Sequence, residues 1–273
     1  MQASFRWAPP TGTLGRIVAE ARERAAALES RLHELAAKAR DTEAGPSLAA
    51  ALRTTSVAVI AEVKRRSPSK GVIAESLGAV DTAKAYQRGG AAAISVLTEP
   101  AHFGGHTDDL VAVRAALEIP ALKKDFHVAP VQLVEARALG ASAALLIVRA
   151  LSPDELGQMM EAGRALGLEL LVEIRDEIEL DRALLAGATI IGVNNRDLET
   201  LKIDPSTSER IVPLIPADII AIAESGISSR ADVERYAACG TDAVLVGSSL
   251  SASSNPTDAT HAIANVPRRT RGG

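Results

Sequence analysis

Cysteine is nearly missing from this 273-residue chain: Cys239 stands alone. No intrachain disulfide is available, and a single cysteine is neutral as to a reducing cytoplasm. Aromatic residues are scarce at 2%, against 47% hydrophobic residues, so Ala, Val, Leu and Ile must fill the interior. That composition fits a layered α/β protein with parallel strands better than an aromatic-rich sandwich. Excess positive charge is lacking too. The formal net charge of -4 argues against a general nucleic-acid binder, while leaving room for local basic patches. No stretch approaches the ~18 uninterrupted apolar residues of a membrane span, and the start, MQASFRWAPP, has no apolar signal core. A soluble, unexported, cytoplasmic protein without membrane partners is expected. His33, His102, His106, His127 and His261 show no metal-ligand spacing, so no dedicated metal site is expected.

What is present is a repeat. Short apolar runs recur at VAVIAEVK (57–64), AAAISVLTE (91–99), PALKKDF (120–126), ASAALLIV (141–148), ELLVEI (169–174), TIIGVNN (189–195), DIIAIAESG (218–226) and DAVLVGSS (242–249). Each is separated from the next by one strand–helix unit, and the intervening pieces look helical, several opening with Asp, Ser or Thr and closing with Gly. Eight such units describe a (β/α)8 TIM barrel, although a doubly wound open sheet shares the local pattern. The polar residues decide between them. Glu62, Lys64, Lys124, Glu173, Asn194, Glu224 and Ser225 all fall at or near the C-terminal ends of different strands. A closed barrel gathers those ends into one ring, whereas an open sheet strings them out. The expected organisation is one domain over 1–273: a helical extension at 13–42, a barrel core at 57–250 and a flexible basic tail at 265–273.

Particular residues then suggest chemistry. In VIAEVK, Glu62 and Lys64 share a strand face with Ile60, and burying such a pair is costly without a partner or ligand. The RRSPSKG stretch (65–71), with Ser67 and Lys70, reads as a ligand-closing loop rather than a merely solvated one. In ALKKDF, alternation sends Lys123 and Lys124 to opposite faces; with Leu122 inward, Lys124 enters the barrel. Glu173 follows three apolar residues, and its plain structural role would be an ion pair with Lys64 or Arg196. Asn194 and Arg196 suit hydrogen bonding and anion pairing. Gly226 and Gly247, with Ser225 and Ser248 beside them, let backbone amides approach a ligand after strands seven and eight, where barrels of this class often hold phosphate.

VIAEVKRRSPSKG, followed in order by GGAAAISVLTE, FGG, KKDF, LVEI, IGVNNRDL, IAESGI and LVGSSL, resembles the indole-3-glycerol-phosphate synthase family of tryptophan biosynthesis. The resemblance covers roughly residues 55–250, and the preceding helix is similar to the family's N-terminal extension. It implies a cofactor-free carboxy-lyase acting on 1-(o-carboxyphenylamino)-1-deoxyribulose 5-phosphate by ring closure, decarboxylation and dehydration. It further implies Lys124 as general acid in ring closure, Glu173 as general base, and Lys64 as acid partner in dehydration. Glu62 and Asn194 would orient substrate and lysine, with Arg196 and Glu224 in support. Ser225, Gly226, Gly247 and Ser248 would serve the sugar-phosphate end, with Ser67 and Lys64 near it. His106, Val131 and Ser248 depart from the residues many relatives carry. Competing readings are another sugar-phosphate barrel, either an isomerase or a Schiff-base aldolase using Lys124, and a non-catalytic phosphometabolite-binding protein. The sequence is compatible with a monomer or a homodimer.

Overall fold

The computed structural model describes residues 7–75 and 77–271. Each apolar run becomes a parallel strand: β1 (Ala58–Val63), β2 (Ala93–Leu97), β3 (Ala121–Lys124), β4 (Ala143–Ile147), β5 (Glu169–Ile174), β6 (Ile190–Asn194), β7 (Ile220–Glu224) and β8 (Ala243–Val246). Neighbours in sequence are neighbours in the sheet, and β8 pairs with β1 through Ala58↔Ala243 to Ala61↔Val246. The sheet is therefore closed, and the open-sheet alternative falls away. The strands are buried almost end to end, as parallel strands covered by helices must be.

Register turns this sequence into a site. Glu62 lies across from Ser95, Leu97 from Lys124, Glu173 from Gly192, and Asn194 from Glu224. Side chains two apart share a face, so the residues below these on the same strands, such as Ile60, Leu122, Leu171 and Ile222, plug the barrel as a buried apolar layer.

Six of the pieces between strands whose sequences look helical, 81–90, 107–118, 130–140, 152–167, 176–187 and 229–240, form helices at Ala79–Arg88, Thr107–Ala116, Pro130–Ala138, Pro153–Ala165, Glu177–Leu185 and Arg230–Ala238. Ser152 and Glu155 form a reciprocal capping box, and Asp176 accepts from the Glu179 amide. Ser206–Ile211 and Pro256–Ile263 are helical as well, although neither was anticipated. The extension at 13–42 is two helices, Gly12–Glu29 and Leu32–Asp41. The chain leaves helical geometry at Arg31 (φ -106, ψ 3), which lets the second helix turn onto the flank of Pro130–Ala138. The segment expected as a flexible tail is held over 265–271: Pro267 bridges to Ser56, while Arg268 and Arg271 pair with Asp242. Gly272 and Gly273 lie outside the described residues. Val131 is buried in the barrel's helical jacket and His106 is exposed at a helix start. Among the described residues no helix is long and apolar enough to cross a membrane.

Candidate active site

Glu62 enters the mouth from β1 almost fully buried, and three groups explain how it stays there. Lys64 Nζ lies 3.2 Å from its Oε1, and Ser95 donates to its Oε2 at 3.2 Å. Burial penalises its charge, but Lys64 and then Lys124 overcome that penalty and hold the carboxyl below its ordinary range. Just past the strand, the Lys64 amide donates to Ser251 Oγ, which itself donates to the Glu62 carbonyl. The Lys64 ammonium sits 5.6 Å from the centre of the Phe103 ring.

On the other side of the mouth, Lys124 points inward, as alternation predicts, and lies 3.2 Å from Glu173 Oε2 and 3.4 Å from Glu224 Oε2. Asn194 donates to Glu173 Oε1 at 2.9 Å, fixing the second oxygen of that carboxylate. Glu173 thus pairs with Lys124, and neither Lys64 nor Arg196 is its ion partner. Burial works against the charge on Lys124, but Glu224, Glu173 and Glu62 outweigh it and push its pKa up. Glu224 moves upward too, to about 8, because burial and the neighbouring carboxylates exceed the pull of Lys124. Its Oε1 is buried without a hydrogen-bond partner among the described residues. The cluster therefore keeps Lys124 as an ammonium and leaves Glu224 the carboxyl disposed to carry a proton.

The partner of Lys124 in sequence, Lys123, goes the other way. It is buried behind the barrel wall, 3.0 Å from Glu135 and 3.5 Å from Asp125, with His127 at 3.4 Å.

The mouth opens into a cavity reached by Glu62, Lys64, Ser67, Lys124, Glu173, Asn194, Arg196, Glu224 and Ser225. These elements of the expected site share one space. The same cavity has an apolar half, formed by Leu14, Ile17, Leu97, Phe103, Phe126 and Leu145. The individual residues of this half were not singled out in the sequence. A signal was available: the chain has only three phenylalanines, and two of them stand in the quoted motifs FGG and KKDF, the second beside Lys124.

Gly226, Gly247 and Ser248 line an adjoining hollow, together with Lys70, Arg196 and Ser225. Glu62 and Lys64 border both spaces, whereas Ser67 belongs to the first only. Ser225 has φ 69, a left-handed conformation that non-glycine residues avoid, at the turn leaving β7. Arg196 has no carboxylate partner among the described residues; it donates to the Leu201 carbonyl at 2.9 Å, and burial lowers its pKa. An unpaired, partly desolvated guanidinium and the exposed Lys70 beside glycine-lined backbone make this end suited to an anion.

Of the five histidines, one joins a cluster of metal-ligating type: Glu20, Glu99 and His102 bring ligand atoms within 4.8 Å of one another. Glu99 there already accepts from the amides of Ala101, His102 and Phe103.

Comparison with known proteins gives a consistent result. The family model for indole-3-glycerol phosphate synthase matches residues 14–263. The chain is 49% identical over 239 residues to the indole-3-glycerol phosphate synthase of Mycolicibacterium vanbaalenii, covering 88% of this chain and 86% of that one. It is 53% identical over 207 residues to the enzyme of the same name from Mycobacteroides abscessus, covering 76% of each. Among solved structures, 3-hexulose-6-phosphate synthase from Salmonella typhimurium superposes with a TM-score of 0.61 at 15% identity, over 76% of this chain and 96% of that one. At that identity the likeness concerns the barrel fold alone.

Proposed function

The chain belongs to the indole-3-glycerol phosphate synthase family, and on that premise we propose how its barrel mouth performs the reaction. The protein is a carboxy-lyase of tryptophan biosynthesis. Its substrate, 1-(o-carboxyphenylamino)-1-deoxyribulose 5-phosphate, has three parts that match three regions here. The aryl ring meets the apolar half around Phe103 and Phe126, the ketone faces the lysines, and the phosphate reaches Ser225, Gly226, Gly247 and Ser248. Anchoring both ends folds a flexible sugar chain so that the ring carbon bearing the carboxylate approaches the ketone, replacing a search through conformations with a held geometry.

In ring closure the aryl carbon bonds to the ketone carbon while the carbonyl π electrons move to oxygen. Lys124 delivers a proton to that oxygen, giving a hydroxyl. The carboxylate then departs as carbon dioxide, leaving its bonding pair to restore the ring. In dehydration Glu173 removes a proton while Lys64 protonates the departing hydroxyl, so that water leaves and the indole forms. General acid–base help of this kind contributes ~10²–10⁴-fold. The 3.2 Å contact between Lys124 and Glu173 supports a shared proton circuit, and the raised proton affinity of Lys124 means that it donates only as negative charge develops on the oxygen. Glu62 and Asn194 orient Lys64 and Glu173; Arg196 and Glu224 stand in support, and Ser67 closes over the mouth.

The single observation carrying this assignment is the convergence of Lys64, Lys124 and Glu173 on one cavity with an apolar end and an anion-suited end. A Schiff-base aldolase needs a neutral amine, and the carboxylates around Lys124 oppose that state. Borohydride treatment with a keto-sugar phosphate separates the two: no covalent capture is expected, and capture at Lys124 would reject this mechanism. The proposed working form is one barrel domain over 1–273, cytoplasmic, monomeric or homodimeric, meeting a small sugar phosphate and no nucleic acid.

A further inference from the structure

We propose that Arg24, on the N-terminal helix, is a positioning residue that holds the apolar half of the substrate cavity together. The inference rests on the reading of that half as the aryl end. The helix Gly12–Glu29 lies across the mouth, and Leu14 and Ile17 form part of the cavity wall. Arg24 follows Ile17 by seven residues, two helical turns, and so projects from the same face.

There its guanidinium spans two buried carboxylates on different loops. Nη2 lies 3.0 Å from Asp125 Oδ1 and Nη1 lies 3.5 Å from Glu99 Oε1. Neither acid is a passive surface partner. Glu99 is fully buried and caps the short helix Pro100–Phe103, accepting from three successive amides and thereby setting where Phe103 stands. Asp125 accepts from Thr98 Oγ1 at 2.7 Å and from the Phe126 amide at 2.8 Å, and sits in sequence between Lys124 and Phe126. The two rings these carboxylates hold face each other with centroids 6.1 Å apart. One cation thus ties together the loop after β2, the loop after β3 and the helix across the mouth. A second strap runs beside it, from Glu20 Oε2 to His102 Nε2 at 2.6 Å.

The arrangement assigns Arg24 an effect on ring binding rather than on proton transfer. Lys64, Lys124 and Glu173 keep their own carboxylate and ammonium partners when Arg24 is lost, whereas Glu99 loses the cation beside it and Asp125 is left with Lys123 alone, at 3.5 Å. A buried carboxylate deprived of its cation seeks water or a new donor, and either response spreads the two loops. The phosphate end is built from the turns after β7 and β8 and has no contact with this link.

The test uses the full chain with two substitutions, Arg24→Met, which keeps the aliphatic packing, and Arg24→Lys, which restores one charge. Two probes report the two ends separately: fluorescent 2-(methylamino)benzoate, titrated directly, and inorganic phosphate, measured by calorimetry. For Arg24→Met, KM for the carboxyphenylamino-deoxyribulose phosphate and Kd for 2-(methylamino)benzoate should both rise ~10-fold, with kcat and the phosphate Kd within ~2-fold, and Arg24→Lys should recover part of the loss. Unchanged aryl binding in Arg24→Met overturns the proposal, as does equal weakening of both probes, which signals general loosening. Should Arg24→Met fail to fold, wild-type aryl binding by Arg24→Lys together with a wild-type KM overturns it. The binding titrations need no turnover. An inactive wild type would thus count against the assigned reaction, while the Arg24 inference is judged by the probes.

Discussion

Lys124 and Glu224 occupy one ring of charge with Glu62 and Glu173, and both bind protons more tightly there than in water. At the level of single residues this gives the sharpest expectations. Removing the ammonium in Lys124→Ala or the proposed base in Glu173→Gln should lower kcat by ~10³-fold, measured as indole formation, because each variant lacks one half of the proposed proton circuit. Substrate binding through the phosphate end should persist. A second expectation concerns Glu179, a buried carboxyl away from the reacting groups whose pKa is pushed up to about 7, chiefly by burial and then by Asp176. Its folded-state pKa lies above its ordinary value of 4.5. Its contribution to stability is therefore complete below that value and is lost as pH rises through about 7. Thermal melts across this window should show wild type losing more stability with rising pH than Glu179→Gln, by about 1–3 kcal/mol. The charged residues of the site were legible because a carboxylate or ammonium inside a buried apolar strand has few explanations. Their pairing was not legible. That Glu173 takes Lys124 as its partner depends on strand stagger, and the roles of Glu99, Asp125 and Arg24 depend on contacts across long sequence separations.

Among elements, β6 shows how a strand makes room for chemistry on its neighbour. Gly192 lies between Leu171 on one side and the Glu224 carboxylate on the other, and a Cβ there would collide with Glu224 Oε1. At the end of β8 a Cβ on Gly247 would come within 2.5 Å of Glu62 Oε1. These bare positions are notches cut for carboxylates. Gly192→Ala should therefore displace Glu224 from Lys124 and lower kcat by ~10–10²-fold while circular dichroism shows an intact fold; unchanged kcat would remove the notch from the account. The eight strands themselves could be read from apolar runs with polar C-terminal ends, and six helices from their caps and periodicity. Ser206–Ile211 escaped notice because it is short and built of polar residues, and the break at Arg31 because no proline or glycine marks it. The ribbon of Arg66–Ser67 with Gly71–Val72 gives the SPSKG loop a defined shape that composition alone did not disclose.

At the scale of the whole molecule, the barrel keeps stability and chemistry at opposite ends. Asp242, just before β8, receives Arg268 at 2.7 Å and Arg271 at 2.6 Å, with the Ala221 amide at 2.8 Å. This clasp ties the C-terminal segment to the floor of the barrel, far from the mouth. Ending the chain at Ala264 should lower Tm by ~5 °C and leave KM within ~2-fold, as followed by melting and steady-state kinetics. The closed sheet was legible from the repeat, but the clasp was not, since a run of arginines near a terminus reads as solvated tail until a buried acid is found to receive it. The central claim is that proton carriers from β1, β3 and β5 act together on one aryl sugar phosphate. It is tested most directly by adding 1-(o-carboxyphenylamino)-1-deoxyribulose 5-phosphate to the purified protein and recording indole fluorescence together with released carbon dioxide. The account predicts both signals in equal amount, slowed ~10³-fold in Lys124→Ala; a wild-type protein that yields neither would contradict it.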